Sequence, residues 1–307
     1  MLSYSIRRLV MLIPLIIGVT FIAFTAMYIL PGDAVYSMLA EAGATAEEME
    51  IMRERMGLND PFYVQYGRFL AGLPRLDFGR SLHTRRPVRD QILAQYGASL
   101  ELMAASIVIA TSVGVTLGVI AALRRGSWAD TGSMFFALLG VSVPVFWTGL
   151  LMIFFFSVRL GWLPSGGTGG VRRLVMPAVA LSFGALGLQA RVVRSSMLEI
   201  LGSDYIRTAR AKGLADRVVN MKHALRNALI PAITLAGLSL ARLMGGSVIA
   251  ETVFTRQGIG RMAAQAVIDQ DFPVVTGTVT LMATAFLVIN LIVDLSYALL
   301  DPRIRYS

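Results

Sequence analysis

The chain of 307 residues is 55% hydrophobic and only 15% charged, with a mean hydropathy of +0.66. A soluble domain runs about 45–50% apolar and about 25% charged, so the surplus points to a lipid environment. There is no cysteine and there are two histidines, which excludes a disulfide scaffold, a Cys/His zinc site and a thiol nucleophile. Of 28 basic residues only Lys212 and Lys222 are lysines, and the net charge of +9 reads as a membrane-surface bias rather than a nucleic-acid footprint.

Runs of about 20 residues with few charges can cross about 30 Å of hydrocarbon. Six are expected, at 9–30, 97–123, 135–158, 174–190, 228–249 and 274–300. The first follows Arg7 and Arg8, but its 22 uncharged residues exceed the about 7–15 of a signal-peptide core, so it reads as a retained span. With the N-terminus inside, the segments 1–8, 124–134, 191–227 and 301–307 carry 14 basic residues, against 5 in the short outer loops 159–173 and 250–273. Both termini are therefore expected in the cytoplasm.

Residues 31–96 form the long outer segment. Thr45-Ala-Glu-Glu48 is a capping-box pattern, Met49, Met52 and Met56 recur at helical spacing, and Gly57 stops the helix. Asn59-Asp60-Pro61 restarts one whose apolar face is Phe62, Tyr66, Phe69 and Leu70. This is expected to be a helical cap packed on the protein's own spans. The loop 159–173 ends in Pro164-Ser-Gly-Gly-Thr-Gly-Gly170 and is expected to be loose. Residues 258–272 place Ile259, Met262, Ala263, Ala266 and Val267 on one stripe of a short interfacial helix, with Pro273 as its stop.

The inner segment 191–227 holds eight basic residues and three acids, with helical organisation. Asp204 is expected to cap a helix over 205–212 that Gly213 ends. A second helix, with Val218, Met221, Leu225 and Leu229 on one side, leads through Arg226 and Asn227 into the fifth span, where Pro231 lies in the first turn. A lever rigidly continuous with a span can transmit motion from a soluble partner.

Among the charges inside the spans, Glu101 and Arg242 stand at similar depths and are expected to meet. Either they form a structural pair or stand as separate solvated charges, or Arg242 lines a path and attracts a peptide carboxylate. Asp294 and Asn290 are expected to bond neighbouring spans, and Gly245-Gly246 to permit close helix packing. No P-loop and no H-E-x-x-H occur, and His83 and His223 fall on opposite sides of the membrane. No catalytic residue and no metal site are assigned, and the chain is not read as an enzyme.

Ile6-Arg-Arg8, Leu30-Pro-Gly-Asp33, Gly57-Leu-Asn-Asp-Pro61, Asp77-Phe-Gly79 and Ser99-Leu-Glu-Leu102 mark the first third of the chain. Asp204-Tyr-Ile-Arg-Thr-Ala-Arg-Ala-Lys-Gly213, His223-Ala-Leu-Arg-Asn227, Gly245-Gly246, Glu251-Thr-Val-Phe254, Gly258-Ile-Gly-Arg261 and Asp301-Pro-Arg-Ile-Arg305 mark the rest. From end to end this series resembles the permease subunits of bacterial ABC importers, and more narrowly the B-type subunit of dipeptide, oligopeptide and nickel permeases.

The resemblance implies an all-α polytopic membrane protein with six transmembrane helices in the type I importer (MetI-like) fold, in the bacterial inner membrane. Its parts would be a stub and first span (1–30), the cap (31–96), a five-helix core (97–300) with the coupling loop 191–227, and a tail (301–307). It further implies that Asp204, Tyr205, Arg207, Thr208, Ala209, Lys212 and Gly213 form the ATPase-coupling segment, with Arg207-Thr208-Ala209 where the general pattern has E-A-A. His223, Arg226, Asn227 and Pro231 would support it. The implied partners are a second permease subunit, two ATPase subunits that hold ATP and magnesium, and an extracytoplasmic solute-binding protein. No cofactor is expected in this chain. The implied cargo is a di- or oligopeptide, with glutathione or a nickel chelate as alternatives. An ion-coupled secondary transporter is a more distant reading, and a membrane receptor or assembly protein without transport another.

Overall fold

The computed structural model describes residues 2–29 and 45–300, without the side chains of 2–9, 55–56 and 294–300. The motifs at 30–33 and 301–305 and the side chains of Arg7, Arg8 and Asp294 therefore lie outside the described residues. What is described is helical, with one isolated antiparallel bridge, Arg80 to Pro87. In chain order the helices are α1 (Leu2–Ile29), α2 (Ala46–Met56), α3 (Phe62–Gly72), α4 (Val88–Leu123), α5 (Trp128–Ser142) and α6 (Val145–Arg159, π-helical from Ile153). There follow α7 (Val171–Leu201), α8 (Asp204–Ala211), α9 (Asp216–Val253, with a π turn at Val219–Ala224), α10 (Ile259–Ile268) and α11 (Phe272–Leu300).

Among the described residues, five helices are long and apolar enough to cross a membrane: α1, α4, α7, α9 and α11. The third expected span is broken. Helices α5 and α6 meet at 108°, so the stretch is a bent pair and not one straight crossing. Pro144 explains the break, because its ring pushes the preceding residue out of the helical region, and Val143 is extended (φ −91°, ψ 125°). The fourth span is longer than expected. Helix α7 runs through Leu201, so the first eleven residues assigned to the inner loop continue it.

The chain divides into two compact units. The described residues within 1–99 and 257–291 form the first. The capping box is present: the Thr45 hydroxyl accepts the Glu48 N–H, and the Glu48 carboxylate accepts the Thr45 N–H at 2.8 Å. That backbone bond, with a second from the Thr45 hydroxyl, holds the Glu48 carboxyl below its usual range. Gly57, at φ +66°, ends α2. Helix α3 packs on α1 through edge-on aromatic contacts of Phe21, Phe24 and Tyr28 with Phe62 and Tyr66, and the Tyr66 hydroxyl donates to the Ile17 carbonyl at 2.9 Å. Helix α3 thus packs on α1 through the aromatic part of its expected apolar face.

Helix α10 ends at Ile268, with Asp269 as its C-cap. Pro273 is not its stop but the second residue of α11, where a missing N–H costs nothing. The buried Asp271 accepts from the Ser81 hydroxyl (2.5 Å) and the Leu82 N–H (3.2 Å), tying the turn at 81–86 to the start of α11.

The described residues within 100–256 and 292–307 form the second unit, and α7 is its spine. Gly114 and Gly118 of α4 lie against the Leu186 and Ala190 carbonyls of α7, and Gly140 of α5 against Phe183. Gly187 of α7 lies against the Ala137 carbonyl in the same way. The wholly buried amide of Gln189 donates to the Ala232 carbonyl of α9 at 2.9 Å, a polar tie of the kind that holds helices together in lipid. Gly246 meets Leu181, whereas its neighbour Gly245 faces open space, so only one of the two glycines packs closely.

The 159–173 loop is not loose. Gly167 donates to the Phe254 carbonyl at 2.8 Å, Arg172 to the Trp162 carbonyl at 2.6 Å, and Arg173 to the Thr168 carbonyl at 3.0 Å. Its glycines are needed because a Cβ on Gly166 would strike the Phe254 carbonyl.

Replacing Gly187 with Val is expected to lower stability by about 2 kcal/mol, as overpacking does, because the Ala137 backbone cannot yield. Thermal unfolding in detergent checks this, and a variant with parental Tm contradicts it.

Candidate functional site

The short helix α8 follows α7 with one turn between them. Ser203 is its N-cap, not Asp204: Asp204 occupies the first helical turn, where its charge complements the helix dipole. The Ser203 hydroxyl is turned back to the Ile200 carbonyl at 2.6 Å. Ile206 and Ala209 are buried with Ala122, Val193, Met197, Val219, Ala224 and Ala228. The other side of α8 presents Tyr205, Arg207, Thr208, Arg210 and Lys212 to solvent. Gly213 sits at φ +78°, with nothing within 4 Å of where a Cβ would be. Its role as a stop is therefore purely conformational.

Three polar groups pin α8 to α9. The Asn227 amide donates to the Tyr205 hydroxyl at 2.9 Å and to the His223 carbonyl at 3.1 Å, and the same carbonyl lies 3.4 Å from the Tyr205 hydroxyl. His223 thus contributes its backbone here. Arg226 is exposed, and Pro231 lies in the second turn of the α-helical stretch Leu225–Val253, not the first.

The second helix and the span are one continuous rod, as expected, and of the expected side Leu225 and Leu229 pack against the core while the other two members do not. Val219, Ala224, Ala228 and Ala232 are buried, while Val218 and Met221 are exposed. The π turn accounts for this. A step of five residues from Val219 to Ala224 rotates the stripe away from the one that α-helical spacing picks out.

The two charges expected to meet do not. Glu101 pairs with Arg256 at 2.5 Å, and Arg256 is wholly buried. The Arg256 N–H donates to the Glu251 carbonyl at 2.8 Å, and Glu251 is also wholly buried. Arg242 stands on an exposed face of α9, about 17 Å from the end at Val253 on a rise of 1.5 Å per residue. It forms no ion pair among the described residues. Leu238, Gly245, Ile249 and Thr252 share its exposed stripe at 3–4-residue spacing.

A further pair had no place in the sequence reading. Arg194 of α7 grips Asp130 of α5 with two bonds, Nε to Oδ1 at 2.6 Å and a second guanidinium nitrogen to Oδ2 at 2.8 Å. Asp130 also accepts the Gly126 N–H at 3.0 Å, and its own N–H is accepted by Ser127 at 3.4 Å. The signal was present, since Ser127-Trp-Ala-Asp130 is a helix-start pattern. Arg194 was hidden among the charges assigned to a loop.

Residues 114–306 match the family "Binding-protein-dependent transport system inner membrane component", and residues 1–103 match its N-terminal companion family. The chain is 40% identical to Dipeptide transport system permease protein DppB of Alkalihalophilus pseudofirmus, with all of both chains covered. It is 40% identical, again over all of both chains, to Glutathione transport system permease protein GsiC of Escherichia coli K12. A chain of the inward-facing MetNI methionine ABC transporter superposes with a TM-score of 0.59 at 23% identity, covering 69% of this chain and 96% of that one. That likeness carries the fold.

Replacing Tyr205 with Phe is expected to speed hydrogen exchange in 204–212 about fivefold, the equivalent of about 1 kcal/mol of lost hydrogen bonding. Unchanged exchange there contradicts the pinning role.

Proposed function

The chain belongs to the binding-protein-dependent transport system inner membrane components, and from that premise we propose that it forms half of the translocation path of an ATP-driven peptide importer. The observation that carries the reading is α8: a polar, exposed helix seated on a buried apolar base and bonded to a transmembrane rod. Such a helix fits a socket on a separate ATPase subunit. Closure of an ATPase pair would push Tyr205, Arg207, Thr208 and Lys212, and α9 would carry the displacement into the membrane. A second permease of similar fold would complete the path, and an extracytoplasmic binding protein would deliver the solute. The excess of basic residues in the segments joined to α8 supports placing it, and both termini, in the cytoplasm. Each state must differ in its affinity for nucleotide or solute, or nothing is driven.

Peptide cargo rests on the dipeptide and glutathione permeases among the full-length relatives and on Arg242. A guanidinium on an exposed stripe at mid-span costs about 3 kcal/mol or more if it faces lipid. The stripe Leu238, Arg242, Gly245, Ile249 therefore suits water or a partner subunit, and a cation there attracts a peptide's terminal carboxylate. In this reading Glu101, half-exposed beside Arg256, belongs to the same path. Glutathione is itself a carboxylate-bearing peptide, so the likeness to GsiC stays within this class.

Gly213→Val forces a β-branched residue into the left-handed region, at a cost of about 1–2 kcal/mol. The reconstituted complex is expected to hydrolyse ATP while transporting several-fold less solute per ATP; a parental ratio contradicts the coupling role. Arg242→Ala is expected to cut uptake of labelled di- and tripeptides about tenfold, as loss of a charged contact worth about 1.5 kcal/mol would do, with Arg242→Lys in between. Parental uptake in both variants contradicts the path assignment.

A further inference from the structure

The buried stripe of α5 is Asp130, Ser133, Ala137 and Gly140, at spacings of three and four residues. Opposite it on α7, Gly140 meets Phe183, Ala137 meets Gly187, and Asp130 meets Arg194. The partner's residue number falls as that of α5 rises, so the two helices run antiparallel in one continuous register. Glycine and alanine faces let backbones approach closely. The apolar contacts, the edge-on Phe136–Phe183 pair among them, are non-directional and resist one helix sliding along the other only weakly. The bidentate pair does resist it, because a planar guanidinium bonded to both oxygens of a buried carboxylate fixes distance and direction together. The carboxylate end is itself anchored to the backbone by the Gly126 N–H.

The position of the pair gives it a use. Arg194 lies seven residues before the end of α7 at Leu201, after which one turn leads into α8. Beyond Gly140, α5 runs to Ser142 and the 108° bend into α6. We propose that Asp130 and Arg194 form a strut that carries displacement of α8, through α7, to the bent α5–α6 pair, so that the bend moves in step with the ATPase cycle. Both are positioning residues that touch no solute. The proposal rests on α8 being the ATPase-docking helix.

The chain has no cysteine, so single reporters can be placed in it cleanly. Exposed Ser142→Cys reports the bend, and exposed Leu214→Cys reports α8. A water-soluble maleimide is reacted with the whole complex in nanodiscs, nucleotide-free and trapped with ATP and vanadate. In the otherwise parental chain both rates are expected to depend on nucleotide. Adding Asp130→Asn or Arg194→Gln is expected to leave the Leu214→Cys response whole and shrink the Ser142→Cys response about fivefold, within the range by which intervening residues alter coupling.

A full Ser142→Cys response in both variants overturns the strut, as does a parental chain in which Leu214→Cys responds and Ser142→Cys does not. A parental Leu214→Cys rate indifferent to nucleotide overturns the docking reading, and the strut with it. Should neither variant assemble, Arg194→Lys, which keeps the charge and loses the fork, is read in the same way. A parental response there overturns the strut, and a reduced one supports it.

Discussion

Helices in a bilayer gain little from excluding water, because lipid tails are as apolar as leucine; they associate where backbones approach closely and where polar groups bond between them. Helix α7 meets that constraint on three sides. Glycines of α4 and α5 admit its backbone carbonyls, Gln189 reaches the backbone of α9, and Arg194 reaches Asp130. The second unit is organised around this helix, and the exposed α8 is the continuation of its chain. A change at the surface of α8 is therefore never far, in bonded terms, from the helices that α7 touches.

The apolar runs made most of the spans legible, and local chemistry gave the capping box at Thr45, the stop at Gly57, the aromatic face of α3 and the stop at Gly213. What could not be read depends on contacts distant in sequence or on departures from regular geometry. Glu101 looked free to meet Arg242 because depth along a helix says nothing of azimuth, and Arg256 lay just beyond the motif that drew attention. The loop at 159–173 looked loose because glycine permits freedom, but here its glycines admit the Phe254 carbonyl at close range. Hydrophobic runs also ignore breaks: Pro144 sat inside an uninterrupted apolar stretch, yet it bends the path by 108°.

Two ionic pairs of the second unit, Glu101–Arg256 and Asp130–Arg194, differ in kind. Arg256 is wholly enclosed while its partner Glu101 is half-exposed, so the cation bears the desolvation and the carboxylate faces outward. In Asp130–Arg194 the carboxylate is enclosed and the guanidinium reaches toward solvent. Breaking a buried pair is costly because it strands the enclosed member. The enclosed member is an arginine beside the loop pinned to Phe254 in one case, and an aspartate at the start of a helix in the other.

The π turn in α9 has a consequence for chain length. It fits one surplus residue into a rod that is otherwise α-helical, and each residue of an α-helix advances the azimuth by about 100°. The surplus residue lies before Asn227, so Asn227, which grips Tyr205, and Arg242 share one α-helical stretch whose phase it does not touch. Deleting one residue between Val219 and Ala224 would turn the step of five into a regular step of four and keep both of these residues on the buried face. An insertion between Asn227 and Arg242, by contrast, would swing the arginine about 100° off its stripe.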